Sequence, residues 1–190
     1  MSYDGDPTAL GEHLPEQDLP GLDEQQGFGP ALVDSVVTHY ADGSSRTLED
    51  LDGDGYADLV GLDTDGDGTT DLSYQDTDWD GRLDSVTRDA DLDGAMDQVL
   101  EDTDGDGRID TVAVDGDHDG LVDGVVADTD FDGRADTWLA DTDSDTRPDQ
   151  IRIDLDSDGL ADRLAVDTDR DGTVDQVSYL DRDTNPYVSG

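Results

Sequence analysis

The chain has 190 residues and a formal net charge of −43. It carries 53 acidic residues against ten basic ones, all arginine, and it has no cysteine. These numbers exclude a disulfide or thiolate-metal framework, and they disfavour direct binding to nucleic acid or to an anionic membrane. Leu, Ile, Val and Phe total only 39 residues, near the level at which a highly charged chain fails to fold unaided. Self-repulsion must therefore be offset by something positive. The acids are lopsided, 48 Asp against five Glu. A chain that needed only solubility would accept either; short carboxylates converging on one point favour Asp.

Residues 1–30 are rich in Pro, Gly, Asp and Gln and predict a flexible acidic arm. The opening "MSYDGDPTALGEHLPEQDLP" has neither a basic n-region nor an apolar h-region, so it does not read as a secretory leader. No apolar run approaches the length of a membrane span, and no membrane insertion is expected. Residues 31–49, "ALVDSVVTHYADGSSRTLE", predict a capping β-hairpin around the turn signal "ADGS".

From Asp50 the chain repeats every 13 residues, ten times over, to about residue 180. Asp stands at positions 1, 3, 5 and 9 of every repeat. The first five repeats place them at Asp50, Asp52, Asp54, Asp58; Asp63, Asp65, Asp67, Asp71; Asp76, Asp78, Asp80, Asp84; Asp89, Asp91, Asp93, Asp97; and Asp102, Asp104, Asp106, Asp110. The last five place them at Asp115, Asp117, Asp119, Asp123; Asp128, Asp130, Asp132, Asp136; Asp141, Asp143, Asp145, Asp149; Asp154, Asp156, Asp158, Asp162; and Asp167, Asp169, Asp171, Asp175. All forty are candidate metal ligands. Position 6 is Gly in nine repeats and Thr146 in the eighth. Position 8 is mostly apolar, as at Leu83, Ile109 and Val174, and position 11 more so, as at Val60, Val86, Val112, Trp138 and Ile151. Residues 181–190 begin another unit one residue late and read as a C-terminal tail.

Hard divalent cations take oxygen ligands. Calcium accepts six to eight of them in a flexible geometry, whereas magnesium demands a tight octahedron and keeps its waters. Acids at positions 1, 3, 5 and 9 and a carbonyl at position 7 can wrap one ion, with a sharp turn at position 6 that suits Gly. The spacing D-x-D-x-D-G-x-x-D resembles the first nine positions of the EF-hand calcium loop. It is also similar to the loops of thrombospondin type 3 repeats and of FG-GAP propeller blades, the last especially in "DLDGDGYADLVGL". The resemblance implies calcium, about one ion per repeat. Each relative is departed from. Position 12 holds no Glu but Gly61, Tyr74, Thr87 and the like, thrombospondin repeats carry cysteines, and propeller blades are far longer. Ten divalent ions would bring the charge to about −23.

Positions 10–13 leave room for a short strand only, with β-branched residues prominent at position 11. The expected fold is therefore all-β: a repeat array of calcium loop plus short strand, drawn as a β-roll or β-solenoid with two repeats per coil. A 26-residue signal supports pairing of alternate repeats. Arg82, Arg108 and Arg134 share position 7, and Ser85, Thr111 and Thr137 share position 10. The roll then predicts position 11 side chains meeting between two sheets, with one column of loops along each edge. An antiparallel meander is the competing arrangement.

The expected function is a calcium-binding repeat that folds or rigidifies on taking up many ions, a structural or interaction module at the cell surface or secreted, with an unknown protein or surface partner. The alternatives are a high-capacity, cytoplasmic calcium buffer, and an acidic disordered or halophile-type chain without specific sites. Catalysis is not expected. All ten carboxylate sets look alike, and His13, His39 and His118 lie in unrelated contexts. Trp79 and Phe131 stand at position 4 of their loops, either exposed as partner contacts or packed against neighbouring loops; His118, at a variable loop position, is expected to be exposed, and Trp138 to lie in the core. Thr146, with Pro148 at position 8, marks the eighth site as a weaker one.

Overall fold

The computed structural model describes residues 35–181 and 183–187, so the predicted N-terminal arm and residues 31–34 lie outside the described residues. Among the described residues the chain is all-β, with twelve strands and no helix. β1 (Ser35–His39) and β2 (Ser45–Glu49) form an antiparallel hairpin closed over Asp42, whose carboxylate accepts the N–H of Ser44 at 3.1 Å. Each repeat then supplies one strand from positions 10–13. These are β3 (Leu59–Asp63), β4 (Leu72–Gln75), β5 (Ser85–Arg88), β6 (Gln98–Glu101) and β7 (Thr111–Val114). β8 (Gly124–Ala127), β9 (Thr137–Ala140), β10 (Gln150–Ile153), β11 (Arg163–Val166) and β12 (Gln176–Tyr179) follow.

The described strands fall into two compact units, divided between Gly107 and Arg108. In the first, β1 to β6 pair in chain order, each antiparallel to the next. In the second, β7 to β12 do the same. This corrects the two-sheet roll: consecutive repeats pair in a meander, and alternate repeats do not stack strand on strand. The reason lies in the loop. In loops one to four and six to ten, the position 9 N–H donates to the carbonyl just before position 1, at 2.8–3.0 Å. Each of these nine loops is therefore a hairpin turn, and its two strands must lie side by side.

The register also corrects the expected core. Val60 stands opposite Tyr74, and Tyr74 opposite Val86. Directly paired residues share a face, so position 11 of one repeat sits with position 12 of the next. Val60, Tyr74 and Val86 are buried together on one face of the first unit, and Val112 and Val126 on one face of the second. Ala165 is buried on the other face of the second unit, and Trp138 is half-buried. Position 11 thus alternates between faces, which a two-sheet roll would not allow.

The 26-residue period does have a physical basis. A meander puts successive loops on opposite edges, so loops two repeats apart are neighbours along one edge. The ladder continues into them: Asp76 N–H donates to the Asp58 carbonyl at 2.9 Å, and Asp154 N–H to that of Asp136 at 2.8 Å. At Gly81, Gly94, Gly133 and Gly172 the position 7 side chain of one loop lies against the position 6 residue of the loop two ahead. A β-carbon on Gly81 would come within 3.4 Å of the Tyr56 ring, and one on Gly172 within 2.8 Å of Arg147 Nη1. Glycine at position 6 thus serves both turn and contact. The two predicted columns of loops exist; the sheets behind them are joined differently.

Candidate metal centre

The loops are built by their aspartates. The position 1 carboxylate reaches forward and accepts the position 6 N–H in all ten loops, at 2.7–3.1 Å. In seven loops its second oxygen accepts the position 4 N–H, as in Gly53 to Asp50 and Leu92 to Asp89, both at 2.7 Å. The position 9 carboxylate reaches back to the position 2 N–H, as in Ala90 to Asp97 at 2.6 Å and Thr129 to Asp136 at 2.7 Å. The position 3 carboxylate accepts the position 5 N–H at Asp52, Asp65, Asp78, Asp91, Asp104, Asp117 and Asp156, at 2.9–3.3 Å. Most position 1 and position 9 aspartates are buried. Every position 3 aspartate except Asp143 is exposed.

This network bends the backbone twice. Position 6 takes positive φ in every loop, as expected, including Thr146 at 75°. Position 4 does so too, at residues as unsuited as Trp79 (64°), Leu92 (62°), His118 (61°) and Phe131 (60°). An L-residue there gives up roughly 1–2 kcal/mol. At Trp79, Leu92, Ser157 and Arg170 the position 1 carboxylate holds it by accepting the position 4 N–H. Trp79, Phe131 and His118 are exposed, as expected for His118 and as one of the two alternatives for Trp79 and Phe131.

A second feature escaped the sequence reading. Position 2 is Thr in six repeats. The hydroxyl donates to the position 9 carboxylate at Thr64 to Asp71, Thr77 to Asp84, Thr129 to Asp136, Thr142 to Asp149 and Thr168 to Asp175. Recurrence of one hydroxyl at a fixed position was the available signal.

The carboxylates repel. Asp78, Asp117 and Asp156 are pushed above the ordinary carboxylate range, first by loss of solvent and then by the other acids of the same loop. For Asp169 the neighbouring Asp171 is the largest cause. The position 9 groups go the other way. Asp175 and Asp149 are lowered, mainly by the Thr168 and Thr142 hydroxyls. At Asp136 burial pulls upward but is outweighed by the hydroxyls of Thr137 and Thr129.

The arrangement suits a hard cation. Within single loops, one carboxylate oxygen from each of Asp50, Asp52 and Asp54 lies within 4.8 Å of the others, as do those of Asp63, Asp65 and Asp71, of Asp76, Asp78 and Asp84, and of Asp89, Asp91 and Asp93. Each oxygen carries two lone pairs, so a backbone N–H bond does not exhaust it. Asp115 Oδ1 and Asp143 Oδ1 are buried without a hydrogen-bond partner, as an oxygen reserved for a cation would be. These repeated Asp-rich groups can therefore hold metal ions. Comparison with family models, with curated proteins and with solved structures finds no match for the chain.

Proposed function

We propose that the chain is a calcium-binding repeat protein, with about one ion per loop, that gains its rigid fold when the ions bind. The observation that carries this reading is the shared loop geometry. Carboxylates of one loop converge within 4.8 Å although they repel each other, and the backbone turns twice into positive φ to hold them there. Such an arrangement is costly without a cation and favourable with one. The donor set is all oxygen, which favours calcium over softer or redox metals, and the acyclic, many-carboxylate loop suits calcium better than magnesium. The loops resemble EF-hand and thrombospondin type 3 loops in that spacing. Binding energy then becomes folding energy.

The reading is non-catalytic, since the ten loops are built alike and none is set apart as a reaction centre. It makes the array a structural or interaction module, suited to a secreted or cell-surface setting where calcium is plentiful. Isothermal titration tests it: the expected result is calcium uptake of about one ion per loop with weak, cooperative affinity. Tight, independent sites would instead favour a calcium buffer, and no saturable uptake would end the calcium reading.

A further inference from the structure

The position 3 carboxylates stand at the outer side of their loops, where the neighbouring loop on the same edge can reach them. In the second unit, the residue that reaches is position 4 of the loop two repeats ahead. Ser157 Oγ donates to Asp130 Oδ2 at 3.2 Å, from loop nine to loop seven. Arg170 Nη1 contacts Asp143 Oδ2 at 2.9 Å, from loop ten to loop eight. The geometry is the same and the chemistry is opposite. Loop seven receives a neutral hydroxyl, whose oxygen is itself a hard ligand. Loop eight receives a full positive charge.

The consequence is visible at Asp143. It is the one position 3 aspartate that is not exposed. Its Oδ1 is buried with no hydrogen-bond partner. The position 5 N–H bond that Asp156 and six others accept is absent at Asp130 and Asp169 as well, so what sets Asp143 apart is its burial and its contact with the guanidinium. Arg147 of loop eight lies in return against Gly172 of loop ten, so the two loops interlock. Arg170 holds this place with its backbone in the left-handed region, at φ 61°, because its own N–H is bound to Asp167 at 2.8 Å.

We propose that position 4 sets the cation affinity of the loop two repeats earlier, and that Arg170 is a tethered counter-ion that loop eight must release before a divalent ion takes Asp143. This rests on the calcium reading of the loops. Loop eight then fills after loop seven, and the coupling runs along one edge, between loops eight and ten, and not to the next loop in sequence.

The test is a calcium titration of the full chain followed by amide NMR, reading residue 133 for loop seven and residue 146 for loop eight. Wild type is compared with Arg170→Ser and Ser157→Arg. Arg88→Ser, an exposed strand position far along the chain, controls for net charge. Arg170→Ser should move the loop eight midpoint about fivefold to lower calcium and leave loop seven in place. Ser157→Arg should raise the loop seven midpoint by a similar factor. A loop eight midpoint that stays or rises in Arg170→Ser, or an equal shift of every loop in Arg88→Ser, overturns the proposal while leaving calcium binding intact. If no wild-type loop saturates, the calcium reading falls and this inference with it.

Discussion

Loops seven and eight follow one another in the chain and carry identical acid sets, yet they are not equivalent. In loop seven, Gly133 makes the second turn, and Asp128 accepts its N–H at 2.7 Å. In loop eight, Thr146 makes the same turn at φ 75° and donates to Asp141 at the same distance. Pro148 follows it, and Arg170 covers Asp143. The carboxylate scaffold is therefore strong enough to impose one loop shape on unsuitable residues. What differs is how much of the scaffold's energy is spent on the backbone and how much is left for the ion.

Removing the scaffold should have the largest effect. Asp128→Ala leaves the N–H groups of Gly133 and Asp132 without their acceptor and should lower stability by about 3 kcal/mol in denaturant unfolding with calcium present. Asp141→Ala should cost less if, as proposed, loop eight holds its ion more weakly. Equal losses would remove the distinction between the loops.

Exchanging the turn residues comes next. Thr146→Gly should stabilise the chain by about 1 kcal/mol and tighten loop eight. Gly133→Thr should do the reverse in loop seven. Unchanged calcium affinity in Thr146→Gly would show that the strain is not felt at the site.

Smaller again is the position 2 hydroxyl. Thr129→Val and Thr142→Val should each cost about 1 kcal/mol, and each should raise the carboxyl it serves, Asp136 or Asp149, toward the ordinary value. Carboxyl NMR titration reads this directly.

The pH dependence of the loop carboxylates follows from opposite shifts. Asp136 and Asp149 are lowered, so their contribution is present above the ordinary value of 3.8 and is lost as pH falls through their folded values. Asp156 and Asp169 are raised, so their contribution is present below 3.8 and is lost as pH rises through their folded values. Mild acidification should thus relieve the repulsion in loops nine and ten first, and only stronger acid should release Asp136 and Asp149. Since calcium needs the ionised position 3 groups, its affinity in loops nine and ten should begin to fall at a higher pH than an ordinary carboxylate would predict. A calcium titration repeated across pH checks this.

Much of this was legible in the sequence. The forty phased aspartates mark the loops, and positions 10–13 mark the strands, because the period leaves room for nothing else. Even the 26-residue spacing of Arg108 and Arg134 reflects real neighbours along an edge, since Arg108 lies against Gly133 of the next loop on that edge. The pairing of the strands was not legible. A four-residue strand with one strong apolar position fits either a roll or a meander, and the choice is made by one backbone bond, such as Asp84 N–H to the Gln75 carbonyl at 2.8 Å. The second left-handed turn was hidden as well. Trp79 and Leu92 do not announce positive φ; the position 1 carboxylate imposes it, and only Gly53, Gly66 and Gly105 hint at it.

The central claim is that the ion completes a fold the chain cannot hold alone. Far-UV circular dichroism of the full chain, recorded with calcium and then with excess chelator, tests it most directly. A β spectrum with calcium that is lost on chelation and restored by added calcium is the predicted result. A β spectrum of equal strength under both conditions would contradict the account.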